Sequence, residues 1–119
     1  MKKTYQKPFA KIENSENPLN KNICTKYKVT NEMILREIAG DYVLIPIGKM
    51  AIKLHGMISL TESGVFLWRL LQEEHTEEEL VDAILEEYEV DRDTARTDVR
   101  NFLIKLFNTG LIEQDGDKA

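Results

Sequence analysis

The spacing of hydrophobic residues along this chain changes once, close to Thr61. Before that point the apolar residues form short runs rich in β-branched side chains, and after it they recur at helical spacing. The predicted strands cover residues 34–38, 42–47 and 57–60. Ala39 and Gly40 mark a tight turn between the first two strands. The pattern predicts an α+β fold in which a three-stranded antiparallel sheet is followed by three helices.

The edge of this sheet is ambiguous in the sequence. Met50 to Leu54 is an apolar run that suits either a strand or a single helical turn. Met57 to Leu60 alternates better and is too short for a helix, so we take it as the third strand and as an edge. Met50 to Leu54 stays open as the alternative edge.

Capping residues set the predicted limits of the three helices. Thr61 is the expected N-cap of the first helix, and Thr76 with Glu79 matches a capping box at the start of the second. Asp91 is the expected cap of the third helix, which Gly110 closes in a left-handed conformation. Apolar positions on each helix then predict a shared core.

Two residues of the first helix have both a structural and a functional interpretation. Gly64 lowers helix propensity by about 1 kcal/mol relative to alanine, and we attribute it to close packing of the helix against the sheet. Trp68 is more often a core residue than a stacking platform, and we expect it in the core.

The ends of the chain lack a sustained apolar period. Residues 1–26 are rich in asparagine and lysine and are expected to be a mobile tail, residues 27–113 the folded domain, and residues 114–119 a frayed C-terminus. The net charge of −5 is unevenly distributed. Residues 1–32 hold seven lysines against three glutamates, whereas residues 61–90 hold ten acidic residues against one arginine. The chain has neither a secretory signal nor an apolar stretch of membrane-spanning length, so a cytoplasmic location is expected.

The residues that would support catalysis are missing from the sequence. There is no G-x-S-x-G, G-x-x-x-x-G-K or H-E-x-x-H motif, and one cysteine does not make a thiolate metal cluster. His55 and His75 stand twenty residues apart and are most simply a turn residue and a linker residue. We therefore expect no enzyme activity of the chain alone, no metal and no cofactor.

A basic stripe on the third predicted helix has two interpretations. Arg92, Arg96 and Arg100 follow one another at intervals of four, and the element order fits a winged helix-turn-helix, in which this helix would read DNA. The acidic pI near 5.1 argues against a duplex partner. The commoner alternative is that these arginines pair with acidic residues on the protein surface.

The order and spacing of several segments resemble the PqqD-like family, the peptide-recognition element of ribosomal peptide modification systems. The resemblance covers about residues 33–113. The matching segments are LREIAGDYVLIP, GMISLTESGVFLWRLL, TEEELVDAILEEYEVD and ARTDVRNFLIKLFNTGLIE. It implies a non-catalytic peptide chaperone, which binds the leader of a precursor peptide by strand addition and presents it to a modifying enzyme, often a radical S-adenosylmethionine protein.

The resemblance also implies a binding site between the third strand and the third helix. The residues expected in it are Met57, Ile58, Ser59, Leu60, Arg96, Val99, Arg100 and Leu103. Backbone pairing is expected at Ile58 and Ser59, with the arginines available to acidic leader residues. Core packing is an equal alternative for Val99 and Leu103. A subunit that tethers the modifying enzyme without strong leader contact, and a DNA-binding regulator, remain alternatives. An exposed edge strand also permits a homodimer.

Overall fold

A computed structural model of the protein describes residues 2–8, 18–19, 24–30, 33–48 and 58–115. The strands are β1 (Lys3–Thr4), β2 (Lys26–Val29), β3 (Met33–Ile38), β4 (Asp41–Pro46), β5 (Ile58–Leu60), β6 (His75–Thr76), β7 (Tyr88–Glu89) and β8 (Ile112–Gln114). The helices are α1 (Glu62–Leu70), α2 (Glu77–Glu87) and α3 (Arg92–Asn108). The α+β class, the three helices and a three-stranded antiparallel sheet are thus confirmed.

The predicted sheet is the antiparallel set β3–β4–β5, with β4 in the centre. Ala39 and Gly40 form the two-residue turn between β3 and β4, and both have positive φ, 53° and 88°. Positive φ at both positions matches a type I′ turn, whose twist suits a two-residue hairpin. Strand β5 pairs with the first half of β4, where Ser59 lies opposite Val43. The proposed alternative edge at 50–54, together with Met57 and His55, lies outside the described residues.

The helix caps follow the sequence prediction. Thr61 caps α1 and Thr76 and Glu79 form the complete capping box of α2, with the Thr76 N–H 2.8 Å from the Glu79 carboxylate. Asp91 caps α3. Gly110 (φ 80°) ends α3, and the N–H of Leu111 donates to the Leu106 carbonyl at 2.9 Å. This hydrogen bond belongs to a Schellman motif, which satisfies carbonyls that the helix leaves unpaired.

A second sheet was not predicted in full. Strand β2 lies between β6 and β8 and pairs antiparallel with both. Strand β8 is the short return of the chain after Gly110, and its pairing with β2 was not predicted. The expected domain limits at residues 26/27 and 113/114 fall within β2 and β8. Asp115 beyond them accepts a hydrogen bond from the Lys26 N–H at 2.7 Å.

The first residues of the chain also take part in regular structure, which the expectation of a tail over residues 1–26 did not anticipate. Strand β1 pairs in parallel with β7, the short segment between α2 and α3. Lys3 reinforces this pairing through an ion pair of 2.9 Å with Glu87. The short segment that links α2 to α3 is therefore a strand that pairs with the N-terminus.

The core lies between the three helices and the inner face of the sheet. It is formed mainly by leucine, valine and aromatic side chains with little or no exposure, including Leu44, Leu67, Trp68, Leu80, Ile84, Tyr88, Val99, Phe102 and Leu103. Trp68 is only 4% exposed, so the core interpretation of this residue is confirmed. None of the helices described in the structure is both long enough and apolar enough to cross a membrane.

Candidate functional site

The outer edge of β5 presents backbone groups that β4 does not use. A two-residue hairpin is closed by a hydrogen-bonded pair, here Ile38 and Asp41, and bonding and non-bonding pairs then alternate along the strands. The alternation turns Tyr42 toward Leu60 and leaves the Ser59 N–H and C=O pointing away from β4. Ser59 is also exposed. Within the described part of the sheet, β5 is thus an edge with Ser59 at its outer side.

Thr61 continues this edge beyond the end of β5. Its backbone is extended (φ −85°, ψ 178°), and its N–H donates to the carbonyl of Pro8 at 3.1 Å. In an extended chain, the N–H groups of residues two apart point to the same side. The Thr61 hydrogen bond therefore agrees with the orientation derived for Ser59. It also shows that a segment from the start of the chain already lies against this side of the junction between β5 and α1.

That segment, residues 3–8, is hereafter the N-terminal segment. Three successive carbonyls of it accept hydrogen bonds from the start of α1: Gln6 from the Ser63 hydroxyl, Lys7 from the Thr61 hydroxyl at 2.5 Å, and Pro8 from the Thr61 N–H. Ser63 is only 1% exposed. These contacts use backbone atoms, so they are available to an extended peptide of any sequence.

Gly64 allows this close approach. A Cβ atom at this position would lie 2.6 Å from the Pro8 carbonyl oxygen and 3.2 Å from the Leu60 side chain. Real Cβ contacts do not come as close as the first distance. Gly64 therefore packs against the sheet at Leu60, as predicted. Its closer contact is with Pro8, which was not predicted from the sequence.

Helix α3 borders the same space with a buried carboxylate. Asp98 is 1% exposed, and its oxygens accept hydrogen bonds from the Tyr5 hydroxyl at 2.7 Å and from the Lys7 ammonium at 2.9 Å. Burial of a carboxylate is costly unless hydrogen bonds and opposite charge compensate it. Among the described residues, both compensating donors come from the N-terminal segment. The space between Ser59–Gly64 and Asp98 is hereafter the cleft.

The aromatic side of the N-terminal segment rests on Tyr88. The rings of Tyr5 and Tyr88 meet edge to face, with centroids 5.9 Å apart, and Phe66 packs on Tyr88 in the same manner at 5.7 Å. Burial, followed by the charge of Glu62, raises the pKa of Tyr88 to about 12. Burial, followed by the hydrogen bond to Asp98, also raises the pKa of Tyr5. Both phenols are therefore neutral donors at neutral pH.

The N-terminal segment does not fill the cleft completely. A cavity of about 420 Å³ lies beside β5 and is bounded by Gln6, Tyr42, Ser59 and Thr61 among others. A smaller cavity of about 230 Å³ lies on the α3 side and is bounded by Lys7, Thr94 and Asp98 among others. Free volume thus borders both sides of the segment.

The predicted site residues of α3 do not face the cleft. Arg96 forms an ion pair with Glu78, and Arg100 forms one with Glu77 at 2.8 Å. Arg96 and Asp98 are two residues apart, which is about 200° around a helix, so the arginines face α2 while Asp98 faces the cleft. Val99 and Leu103 are fully buried in the core. The structure therefore brings Ile58, Ser59 and Leu60 together on one strand but does not bring the four predicted α3 residues to its edge.

The surface-pairing interpretation of the basic stripe is confirmed. Arg92 contacts Asp82 at 3.0 Å and Glu78 at 3.4 Å, so the stripe of Arg92, Arg96 and Arg100 is bound to acids of α2. The hydrogen bond to Glu77 raises the pKa of Arg100. No group of three or more His, Cys, Asp and Glu residues that suits a metal occurs in the described ranges. The chemistry of the cleft is hydrogen bonding to an extended chain.

One signal in the sequence marks Asp98. Ala95, Asp98 and Phe102 follow at spacings of three and four, so a carboxylate stands on the apolar stripe of α3. An acid at such a position needs donors that its own helix does not supply. The donors themselves, Tyr5 and Lys7, are more than ninety residues away and carry no recognisable pattern.

The fold and the site define a small α+β binding module whose edge strand and third helix border a cleft for an extended chain. A family model, described as coenzyme PQQ synthesis protein D (PqqD), matches residues 41–112. The chain belongs to the PqqD family. The match includes β5, α1 and Asp98 and excludes the N-terminal segment. Neither a curated protein nor a solved structure matches the chain.

Proposed function

We propose that this protein is a non-catalytic peptide chaperone that binds the leader of a ribosomal precursor peptide and presents the peptide to a modifying enzyme. Membership of the PqqD family supports a peptide and a biosynthetic enzyme as partners. A radical S-adenosylmethionine protein is the enzyme we propose. In this arrangement β3 and β4 serve as the wing of a winged helix-turn-helix, and the modifying enzyme supplies the chemistry.

Strand addition at β5 is the proposed mode of binding. The observation that carries the proposal is the outward orientation of Ser59 beside an open cavity, next to a backbone hydrogen bond that Thr61 already makes to the N-terminal segment. An unpaired edge gives affinity through backbone hydrogen bonds, and alternate peptide side chains give specificity. Ser59 supplies the backbone pairing. Pairing was also expected at Ile58, but the register directs its backbone to β4, so the half-buried Ile58 and the buried Leu60 form the apolar floor beneath the guest.

On α3 the proposal assigns the contact to the Asp98 side of the helix. Arg96 and Arg100 keep a secondary role, because an acidic leader residue would have to replace Glu78 or Glu77 as their partner. Val99 and Leu103 support the cleft from the core. Met57 remains part of the proposed edge and lies outside the described residues.

The decisive experiment is a titration of the isotope-labelled protein with synthetic leader peptides, taken from short reading frames beside the gene and followed by NMR. Ser59→Pro removes a donor on the outer edge while Ile58 and Leu60 keep their bonds to β4. Binding should fall by about tenfold or more, equal to a loss of about 1.4 kcal/mol. Ser59→Ala is the matched control and should bind normally. Undiminished binding by Ser59→Pro, with its helical circular dichroism retained, would refute strand addition at β5.

Charge reversal of Arg96 and Arg100 tests the remaining alternatives. Since both side chains are engaged with α2, the double variant Arg96→Glu, Arg100→Glu should keep leader affinity within about threefold, or less than 1 kcal/mol. A larger loss would return the arginines to the peptide site. If the wild-type protein binds duplex DNA and this variant does not, the result would instead support a DNA-binding regulator. Binding of the enzyme without any leader contact would support the tethering subunit.

A further inference from the structure

We propose that the N-terminal segment, residues 3–8, is an intramolecular occupant of the cleft, and that a guest peptide binds by displacing it and must bring a hydroxyl or cationic donor to Asp98. This inference rests on the proposed function, because it places the guest in the same cleft. It adds a recognition residue and a competitor that is part of the chain itself.

The contacts of the segment are those expected of a bound peptide. It begins as a strand paired with Tyr88 and Glu89, passes Asp98 and ends against Thr61. Its carbonyls are bound by the cleft through backbone and hydroxyl donors. Two of its side chains, those of Tyr5 and Lys7, donate hydrogen bonds to the Asp98 carboxylate. Backbone hydrogen bonds with a few anchoring side chains are the usual form of extended-peptide recognition.

Asp98 favours an occupied cleft over an empty one. If the N-terminal segment left with nothing in its place, Asp98, which is 1% exposed with the segment in position, would lose both of its donors among the described residues. Leaving a buried charge without partners is strongly unfavourable. The cleft is therefore stable with the N-terminal segment or with a guest that offers comparable donors, and it discriminates against a guest that is acidic or apolar at this point.

Charge arrangement supports the same exchange. Lys3 lies between Glu62 and Glu87, at 3.9 and 2.9 Å, and Lys7 lies against Asp98, so the segment is held along an acidic path. A cationic guest is attracted to that path once the segment leaves it. Because the competitor is tethered, the apparent affinity for a guest is the intrinsic affinity multiplied by the fraction of molecules with an open cleft.

The test uses the full chain and a fluorescent synthetic peptide, KKTYQKP, which copies residues 2–8. In the variant Tyr5→Ala, Lys7→Ala the chain's own segment loses both donors to Asp98, whereas the probe keeps them. Anisotropy should show the variant binding the probe about tenfold or more tightly than the wild type, as expected if an open cleft is a minor species. Adding Asp98→Asn should abolish this gain. Equal affinity of the wild type and the double variant would overturn the proposal.

A second variant protects the test against loss of the Tyr5 packing. Lys7→Glu places another carboxylate beside Asp98, and since Lys7 is 60% exposed the core is left intact. It should also bind the probe more tightly than wild type, whereas Lys2→Glu, with the same charge change on an exposed residue of the same stretch, should not. An equal response of the two variants would contradict an anchor at Asp98. A wild-type dimer that is lost in Lys7→Glu would show that the segment binds a neighbouring copy, which overturns occupancy within one chain.

The outcome separates this inference from the proposed function. If natural leaders bind the wild type and the variant Tyr5→Ala, Lys7→Ala equally well, the leader function stands and the intramolecular competitor is refuted. If no leader binds either protein but the probe binds the double variant, the competitor stands and the leader function fails. For leader and probe alike, the Thr61 amide resonance shows whether the N-terminal segment has been displaced, because its hydrogen bond to Pro8 is then lost.

Discussion

The hydroxyl of Tyr5 lies 2.7 Å from Oδ2 of Asp98, so a carboxylate buried on the last helix receives a donor from the opposite end of the chain. Asp98 is 1% exposed and the Tyr5 ring packs on Tyr88, so the contact joins polar and apolar stabilisation. Residues before the family-matched region thereby complete the hydrogen bonding of a residue within it.

A double-mutant cycle should measure this contact. We expect Tyr5→Phe and Asp98→Asn each to lower the free energy of unfolding by about 1.5 to 3 kcal/mol, the range for hydrogen bonds to charged groups. The two losses should not add, because Tyr5→Phe removes the hydrogen bond and Asp98→Asn removes the charge that strengthens it. Urea denaturation followed by tryptophan fluorescence gives the four values. Asp93→Asn, an exposed acid of the same helix, is the control and should change stability little. Strictly additive losses would mean that the bond does not stabilise the fold.

The close approach at Gly64 gives a second prediction. Gly64→Ala favours the helix by about 1 kcal/mol in propensity, yet its Cβ would lie 2.6 Å from the Pro8 carbonyl. The N-terminal segment should therefore move away from α1 while the helices stay folded. Hydrogen exchange should show faster exchange of the Thr61 amide, which donates to Pro8.

Arg69→Ala is the matched control for this substitution, because it adds alanine to an exposed position of α1. It should leave the Thr61 amide protected. Protection of that amide in Gly64→Ala, at the level of the wild type, would contradict the role assigned to the glycine.

Local signals in the sequence were sufficient for the helices and the hairpin. Caps such as Thr76 with Glu79, and the turn at Ala39 and Gly40, act within a few residues, so their chemistry can be recognised without the fold. The three-stranded sheet and the core position of Trp68 followed from hydrophobic spacing in the same way. The apolar edge at Ile58 and Leu60 was also within reach of pattern reasoning.

The remaining part of the site depends on contacts between distant residues. Strand β1 has only two residues and pairs with the equally short strand at Tyr88 and Glu89, so no periodic pattern predicts it. The arginines of α3 formed the more conspicuous motif, yet α2 supplies acids at the matching positions and removes them from the cleft. Asp98 was visible as an acid on an apolar stripe, but its donors depend on how the chain ends meet.

The capping box of α2 gives a third prediction, independent of the cleft. Thr76 accepts a hydrogen bond from the Glu79 N–H at 3.1 Å and its own N–H donates to the Glu79 side chain. Thr76→Ala should lower the free energy of unfolding by about 1 kcal/mol. Thr76→Ser keeps a hydroxyl and should lose much less stability. Thermal or urea unfolding by circular dichroism measures both. Equal losses in the two variants would show that the hydroxyl does not provide the stabilisation.

Alkaline pH gives the last prediction, through the two raised phenol pKa values. Tyr88 titrates in the unfolded chain near its ordinary value of 10 and in the folded protein at about 12, because burial and the neighbouring Glu62 oppose the phenolate. Between these values the unfolded state has released a proton that the folded state still holds. Stability contributed by neutral Tyr88 is thus complete below pH 10 and is lost as the pH rises toward 12. Burial and Asp98 raise the pKa of Tyr5 as well, so it acts in the same direction.

Urea midpoints measured from pH 8 upward should therefore fall steeply above pH 10 in the wild type. Tyr88→Phe should flatten that fall, because the phenol that distinguishes the two states is gone. Tyr42→Phe, at a half-buried tyrosine of β4, is the control. A fall of the same steepness in wild type and Tyr88→Phe would assign the alkaline loss to other groups, whereas flattening in both Tyr88→Phe and Tyr5→Phe would tie it to the aromatic contact that holds the N-terminal segment in place.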